Sequence, residues 1–421
     1  MVETMQLVLI GVHQRSAPLA VRERLAFGAA DLPAALAGLR ERVDEGFIIS
    51  TCNRVEICAL VADAEQGRGS LLRYLGEWHG LDPADVAPYT YSYAGEDAVR
   101  HVHRLAAGLD SMVLGEDQIV AQIKEALGAA QAAGAIGGAM HRLLHGALAA
   151  GKAVRTQTGI ASGRLSVVSV AIDLARRTLG GLAGRRALVV GAGRMAELAL
   201  KHLADEPGVV VTVANRTAAR AQELAGRYGA AAVPLDWLEE ALRASDVAIT
   251  ATAAPGVVID AEMAARAARG RGGLLLLDLA VPRNIERAAG EAPGVTLFDV
   301  DDMRPVCEEN RAARAAEIQQ AEAIVDEAVA RYMEWWSAQR AVPMIRALRE
   351  RAEAIRRAEL ERTLARCPEL SEREREAIQA LSAAIVNKLL HGPITTIKAT
   401  GANRELLQAA RELFDLPADV A

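Results

Sequence analysis

Two groups of residues in this chain have types and spacings that could do chemistry. The first surrounds Cys52. The apolar run Phe47-Ile48-Ile49-Ser50 ends in the polar tetrapeptide Thr51-Cys52-Asn53-Arg54 and resumes at Val55, Ile57 and Ala59. A polar break between buried runs marks a strand end or turn that faces a cleft. A free thiol has a pKa of about 8.5, and a neighbouring cation such as Arg54 favours the reactive thiolate. From these residues alone, a nucleophile and an ordinary turn cysteine are equally good readings of Cys52. Cys58, set among Ile57, Ala59 and Leu60, reads as a small core residue. Cys307 and Cys367 lie in helical sequence and read as structural.

The second group is glycine-rich. The strand-like Ala187–Val190 runs into Gly191-Ala192-Gly193-Arg194-Met195-Ala196, then into helix-like sequence. In a G-x-G-x-x-A turn the first glycine allows the tight bend. The second lets backbone approach a pyrophosphate, and the small third residue lets helix and strand pack closely. The helix N-terminus offers free N–H groups to the phosphates. The next strand ends in Asn215-Arg216-Thr217. An NAD site usually carries a carboxylate there for the ribose hydroxyls. Here Arg216 can pair with a 2′-phosphate instead, so NADPH is favoured; the alternative is that Arg216 only caps a surface loop. Together the two groups suggest a division of labour. A thiolate forms a thioester with an activated carboxyl group, and a hydride reduces that thioester to an aldehyde.

Three stretches of different texture must position these groups. Residues 1–160 mix short apolar runs such as Leu7–Val12 with helical segments, as an α+β catalytic domain would. Residues 161–300 repeat buried strands and helices: Ala187–Val190, Val209–Ala214, Val247–Thr252, Leu274–Leu279 and Val295–Phe298 suit a parallel, doubly wound Rossmann-type sheet. Residues 301–421 read as all-α. Glu308–Arg340 holds no Pro or Gly and predicts one long helix that joins domains or pairs with a second chain, with further helices after Pro343 and Pro368. The net charge of -6 does not point to a general nucleic-acid binder. Four cysteines without a C-x-x-C pair suit neither a zinc site nor a disulfide framework, so a reducing cytoplasm is expected. The start of the chain reads as a strand rather than a signal peptide, and no apolar stretch suits a membrane span.

The chain resembles the glutamyl-tRNA reductase family over essentially its whole length. Ser50-Thr51-Cys52-Asn53-Arg54-Val55-Glu56 is similar to the family's nucleophile signature, and Gly108–Ile119, reading GLDSMVLGEDQI, to its second signature. Gly191–Ala196 and Asn215–Thr217 match its NADPH domain, and the helical C-terminus its dimerisation domain. The resemblance implies that Cys52 attacks the α-carbonyl of glutamate esterified to tRNA, that tRNA leaves, and that NADPH reduces the thioester to glutamate-1-semialdehyde. That is the first step of five-carbon tetrapyrrole (porphyrin) biosynthesis. It implies that Thr51, Asn53, Arg54, Ser111, Glu116, Asp117, Gln118 and Gln122 line the substrate site with Cys52, and that His101 is catalytic. Without the resemblance, His101 reads as a helix-face histidine like His103. The residue types agree with the implied roles: Arg54 suits a carboxylate, and Gln118 and Gln122 share one face of a helix. The resemblance further implies a homodimer formed by residues after about 305, and possible contact with glutamate-1-semialdehyde aminomutase.

Two positions depart from the family pattern. Asp117 stands where the family usually has proline, and Gly11-Val12-His13-Gln14 replaces Gly-x-Asn-His. No histidine role is carried to position 14; His13 is a possible substitute. Two other readings compete. A shikimate-dehydrogenase-like NADP oxidoreductase would need neither Cys52 nor the helical tail. A non-catalytic NADPH- or tRNA-binding regulator would not need both signatures intact.

Overall fold

The computed structural model describes residues 5–51, 53–116, 118–161, 166–270, 272–312, 314–340, 342–399 and 404–417, so Cys52 and Asp117 lie outside the described residues. Four strands, β1 (Gln6–His13), β2 (Glu45–Ser50), β3 (Arg54–Val61) and β4 (Tyr91–Ala94), form an antiparallel sheet in the order β2-β3-β1-β4. β3 is buried along its entire length. Arg54 and Glu56 on it therefore have to satisfy each other and their neighbours. The register places His13 opposite Arg54, and Gly11 between Glu56 on one side and Tyr91 on the other. A Cβ at Gly11 would meet Glu56 Cγ at 2.7 Å and Tyr91 Oη at 3.0 Å. Only glycine leaves room for those side chains to cross the strand.

Helix Glu96–Ala106 covers this sheet and carries His101. Helix Gly138–Gln157 crosses it where Gly151 lies against the Ala106 carbonyl. Helix Ala315–Arg340 lies against both, burying Ala321, Val325, Val329 and Tyr332 in the core of the N-terminal domain. The long helix expected over Glu308–Arg340 is present over Ala315–Arg340; only its start differs. Two helices, Arg304–Ala312 and Ala315–Arg340, occupy that stretch. Tertiary contacts outweigh helix propensity at the junction. Arg311 donates to the Leu109 carbonyl at 2.7 Å and Arg314 to the Ile160 carbonyl at 2.9 Å, pinning the break to the N-terminal domain. Ile318, Ile324, Met333 and Trp336 along the helix pack against the same core.

Strands β5 (Arg186–Val190), β6 (Val210–Asn215), β7 (Ala231–Pro234), β8 (Val247–Thr250), β9 (Leu274–Asp278) and β10 (Val295–Asp299) form a parallel sheet in the order β10-β9-β8-β5-β6-β7. The chain reverses its winding direction between β5 and β8, which opens a crevice beyond the strand ends where dinucleotides bind in such sheets. The edge strand β7 has no counterpart among the sequence-predicted strands. It is four residues long and only half-buried, so it leaves little apolar signal.

The two domains touch closely. Met112 and Val113 of the second signature pack into the core of the dinucleotide domain. Arg22 pairs with Asp301, and Arg283 holds Glu23 through Nε and NH2, each at 3.0 Å. Beyond Arg340, helices Val342–Arg366 and Glu372–Ala399 pair around Met344, Leu348, Leu390, Ile394 and Ile397. Ile355, Leu381, Ile385 and Leu389 remain exposed. No helix among the described residues is long and apolar enough to cross a membrane.

Candidate active site

The turn between β2 and β3 is tied down from within. Thr51 N donates to the Arg54 carbonyl at 2.8 Å, and Thr51 Oγ1 accepts from the amides of Asn53 and Arg54, both at 3.2 Å. The Asn53 carbonyl accepts from Gln14 N at 3.1 Å, which docks the loop after β1 onto the same turn. Thr51, Asn53 and Arg54 are thus fixed to one another and to the loop after β1.

Behind the turn lies a buried ionic network. Arg54 NH1 donates to Glu56 Oε1 at 2.6 Å, and its NH2 to the Asp110 carbonyl. Tyr91 Oη donates to the same Glu56 oxygen, and His101 Nε2 lies 2.8 Å from it. His101 Nδ1 faces the Asp110 carboxylate at 3.6 Å. Asp110 in turn is held by Arg104 through two bonds of 3.1 Å, and Arg104 pairs with Glu322 on the long helix. Burial alone would push the Glu56 carboxyl up. The charges of His101 and Arg54, with hydrogen bonds from His101 and Tyr91, outweigh it and hold Glu56 far below the usual carboxylate range. The sequence-predicted residues Arg54 and His101 are therefore brought together through Glu56. Asp110, Arg104 and Tyr91 join them without having been singled out, because nothing local in the sequence marks pairs so far apart.

The three histidines nearby have their protons assigned by their partners. His101 faces a carboxylate at each nitrogen. His103 Nδ1 lies 2.8 Å from the Val99 carbonyl, an acceptor, so that nitrogen carries the proton. His13 Nδ1 instead accepts the amides of Arg15 and Ser16, so its proton sits on Nε2.

Several buried polar atoms have no partner among the described residues: Gln14 Oε1, Asn53 Oδ1, Ser111 Oγ and Glu116 Oε2. An orphaned buried polar atom costs about 1–3 kcal/mol, and such a group calls for a function. All four belong to segments that the two signatures and the loop after β1 supply. Glu116 is pushed up to about 7 by burial, with Arg54 opposing. Gln118 and Gln122 lie on the first turns of helix Gln118–Ala132 and are half-buried. Gln118 Nε2 reaches Met195 Sδ at 2.7 Å, across the domain boundary.

The crevice at the end of β5 has a volume of ≈ 320 Å³ and is lined by Gly191, Ala192, Gly193, Asn215, Arg216 and Thr217. Gly191 has φ +119°, and a Cβ there would meet the Ala251 carbonyl at 2.5 Å. A Cβ at Gly193 would meet nothing within 4 Å, so its open face is free for a phosphate. Gly193 N-caps helix Arg194–Ala204 without any side-chain cap, leaving the first amides free. Arg216 and Arg220 both line the crevice beside Asn215. These groups fit a phosphorylated dinucleotide. Arg220 was missed in the sequence, although it lies one helical turn beyond Arg216. Thr252, fixed by Asn284 Oδ1 at 2.7 Å, also lines the crevice and was missed. Ala196 is fully buried beneath the turn. Arg194 points elsewhere: it lines a second cleft of ≈ 580 Å³ with Glu116, Gln118, Ser166 and Lys201.

Comparison with known proteins shows the family of the chain. The family model for the glutamyl-tRNAGlu reductase N-terminal domain matches residues 10–158, and that for the dimerisation domain of the same enzyme matches residues 320–416. The shikimate / quinate 5-dehydrogenase model matches residues 173–306 between them. A glutamyl-tRNA reductase from Roseiflexus castenholzii is 59% identical over 413 residues, covering 98% of this chain and 97% of the relative. The chain belongs to the glutamyl-tRNA reductase family. Another glutamyl-tRNA reductase, from Herpetosiphon aurantiacus, is 51% identical over 98% of this chain and 99% of its own. The solved glutamyl-tRNA reductase from Methanopyrus kandleri is 30% identical, with a TM-score of 0.51 over 98% of this chain and 99% of that one. Family membership answers the dehydrogenase alternative: the likeness to shikimate dehydrogenase is confined to the dinucleotide domain, and the glutamyl-tRNA reductase matches flank it on both sides.

Proposed function

We infer that this chain catalyses the NADPH-dependent reduction of glutamyl-tRNA to glutamate-1-semialdehyde with release of tRNA, the first step of five-carbon tetrapyrrole synthesis. The observation that carries the reading is a set of unpartnered buried groups on Gln14, Asn53, Ser111 and Glu116, in the same chain as a dinucleotide crevice with two arginines. Residues 1–160 supply the catalytic part, 161–300 the dinucleotide part and 301–421 the dimerisation part. Cys52 is the nucleophile. Its thiolate attacks the glutamyl carbonyl carbon, the ester bond to the tRNA ribose breaks, and the tRNA oxygen takes up a proton. NADPH, when bound, supplies the hydride; the thioester carbon receives it, the C–S bond breaks, and the aldehyde leaves a thiolate on Cys52.

The residues around Cys52 bind and orient. Thr51 and Asn53 fix the turn. Ser111, Glu116, Asp117, Gln118 and Gln122 surround the glutamyl group, and Glu116, near neutrality, can accept or release a proton there. Arg54 is held by Glu56 and the Asp110 carbonyl, and its remaining N–H groups suit a substrate carboxylate. His101, set between two carboxylates, is the general acid–base residue. Gly191, Ala192 and Gly193 pass the pyrophosphate, with Arg194, Met195 and Ala196 forming the helix start. Asn215, Arg216 and Thr217 hold the adenosine ribose and its 2′-phosphate. The molecule works as a homodimer through the helices beyond residue 342, whose exposed Ile355, Leu381, Ile385 and Leu389 offer the apolar face. It acts in the cytoplasm, where the aminomutase that consumes the aldehyde is a possible partner.

The test is direct. Incubated with glutamate-charged tRNA and no NADPH, the protein should gain the mass of a glutamyl group at Cys52, and Cys52→Ser should gain none. Undiminished aldehyde formation by Cys52→Ser would refute the mechanism.

A further inference from the structure

His13 ends β1 directly opposite Arg54, and the next residue, Gln14, is bonded to the Asn53 carbonyl at 3.1 Å. The imidazole packs on Tyr91 and feels the charges of Arg54 and Glu56, so it belongs to the same network. Its Nδ1 is taken by two backbone donors, Arg15 N at 3.2 Å and Ser16 N at 3.1 Å. An amide N–H can only donate, so Nδ1 must present a lone pair. An imidazolium would aim a third N–H at those two. The geometry thus fixes a neutral ring with its proton on Nε2, and that N–H has no partner among the described residues. The ring rests against Tyr91, centroids 4.5 Å apart, so it cannot swing away freely. Burial first, then the Arg54 charge, bring its pKa down to about 4, in keeping with the same tautomer. The result is a fixed hydrogen-bond donor at the site that is not itself an acid at neutral pH.

We propose that His13 Nε2–H donates to the glutamyl carbonyl oxygen as that oxygen becomes an oxyanion. This rests on the reading of Cys52 as nucleophile. As the C–S bond forms, the carbonyl π pair moves onto oxygen and is met by the His13 donor. On collapse the pair returns, the C–O bond to the tRNA ribose breaks, and His13 keeps its proton throughout. The same donor serves the oxygen when hydride reaches the thioester carbon. A fixed donor of this kind acts where charge develops and costs no reorganisation during the step.

The competing role for His13 is structural, because its Nδ1 caps two amides. The isosteric pair His13→Asn and His13→Asp separates the two. Either side chain can cap those amides through one oxygen. Asn then still carries N–H donors, whereas Asp offers only a second, charged oxygen. Single-turnover rates of glutamyl transfer from charged tRNA to Cys52, without NADPH, should fall at least about 100-fold in His13→Asp. They should stay within about tenfold of wild type in His13→Asn, with KM for charged tRNA little changed in both. Cys52→Ser is the blank. Equal rates for the Asp variant and wild type, or equal losses for Asn and Asp at unchanged melting temperature, would overturn the proposal alone. A wild-type protein that forms no adduct would overturn the Cys52 reading and this inference with it.

Discussion

Two buried glutamates in one site are driven in opposite directions, and that difference is measurable. Glu56 is surrounded by cationic and hydroxyl donors and stays ionised. Glu116 is buried with one oxygen unpartnered, and its pKa rises to about 7 from an ordinary 4.5. A carboxyl whose folded pKa lies above its unfolded one binds more protons folded than unfolded between the two values. Its contribution to stability is therefore intact below about pH 4.5, falls as pH rises, and is fully lost above about 7. Glu116→Gln removes this titration without changing shape. We expect Glu116→Gln to match wild-type stability near pH 4.5 and to exceed it at pH 8 by up to about 3 kcal/mol, at roughly 1.4 kcal/mol per tenfold change in proton affinity. Urea unfolding across that range measures it. A gap that shrinks as pH rises would show that Glu116 is paired by a group outside the described residues. The variant should lose activity even as it gains stability, as expected where a site holds a strained group for function.

At the scale of elements, the sheet and helices were largely legible and the network around Arg54 and Glu56 was not. β5 and the glycine turn could be read because strand, turn and helix are contiguous, and each residue type has a local reason. β3 could be read as a strand, but the partners of Arg54 and Glu56 could not. Tyr91, His101 and Asp110 reach them from other elements, and no periodicity records such a meeting. The break in the long helix was illegible for the same reason: Arg311 and Arg314 are good helix formers whose side chains are claimed by distant carbonyls. The crossing of helices Glu96–Ala106 and Gly138–Gln157 gives a test of how far elements set the site. A Cβ at Gly151 would collide with the Ala106 carbonyl, which also accepts from Arg155 NH1 at 3.2 Å. The obstacle is backbone, so the helices must separate. Gly151→Ala should cost about 1–3 kcal/mol in stability, beyond any gain in helix propensity. It should also lower turnover more than it raises KM, because helix Glu96–Ala106 carries His101, the proposed acid–base residue. Gly128→Ala, in helix Gln118–Ala132 with nothing within 4 Å of its Cβ, is the control and should be neutral or slightly stabilising. Equal behaviour of the two variants would refute the close crossing.

At the scale of the whole molecule, the proposed mechanism has Cys52 and the dinucleotide crevice act on one carbon atom. Helix Leu19–Leu25 of the N-terminal domain presents consecutive residues, Arg22 and Glu23, of opposite charge. Asp301 and Arg283 of the dinucleotide domain receive them, with signs matched. Arg283 also donates its backbone amide to Glu23 at 2.7 Å, so this contact fixes orientation as well as distance. Both partners are largely shielded from water, which makes the pair stronger than an exposed one. If the contact aligns the domains, reversing one charge should harm the hydride step and spare the step that needs only the N-terminal domain. Glu23→Arg sets like charges together and should lower aldehyde formation about tenfold while thioester formation at Cys52 stays within about twofold. Adding Arg283→Glu restores opposite signs in exchanged positions and should recover a substantial part of the loss. The double-mutant cycle separates coupling from the separate effects of each change. Steady-state aldehyde production and single-turnover acylation, measured on the same four proteins, give both numbers. A double variant no better than the worse single one would mean that the pair does not align the domains. A matching loss of acylation would place the damage in the N-terminal domain instead.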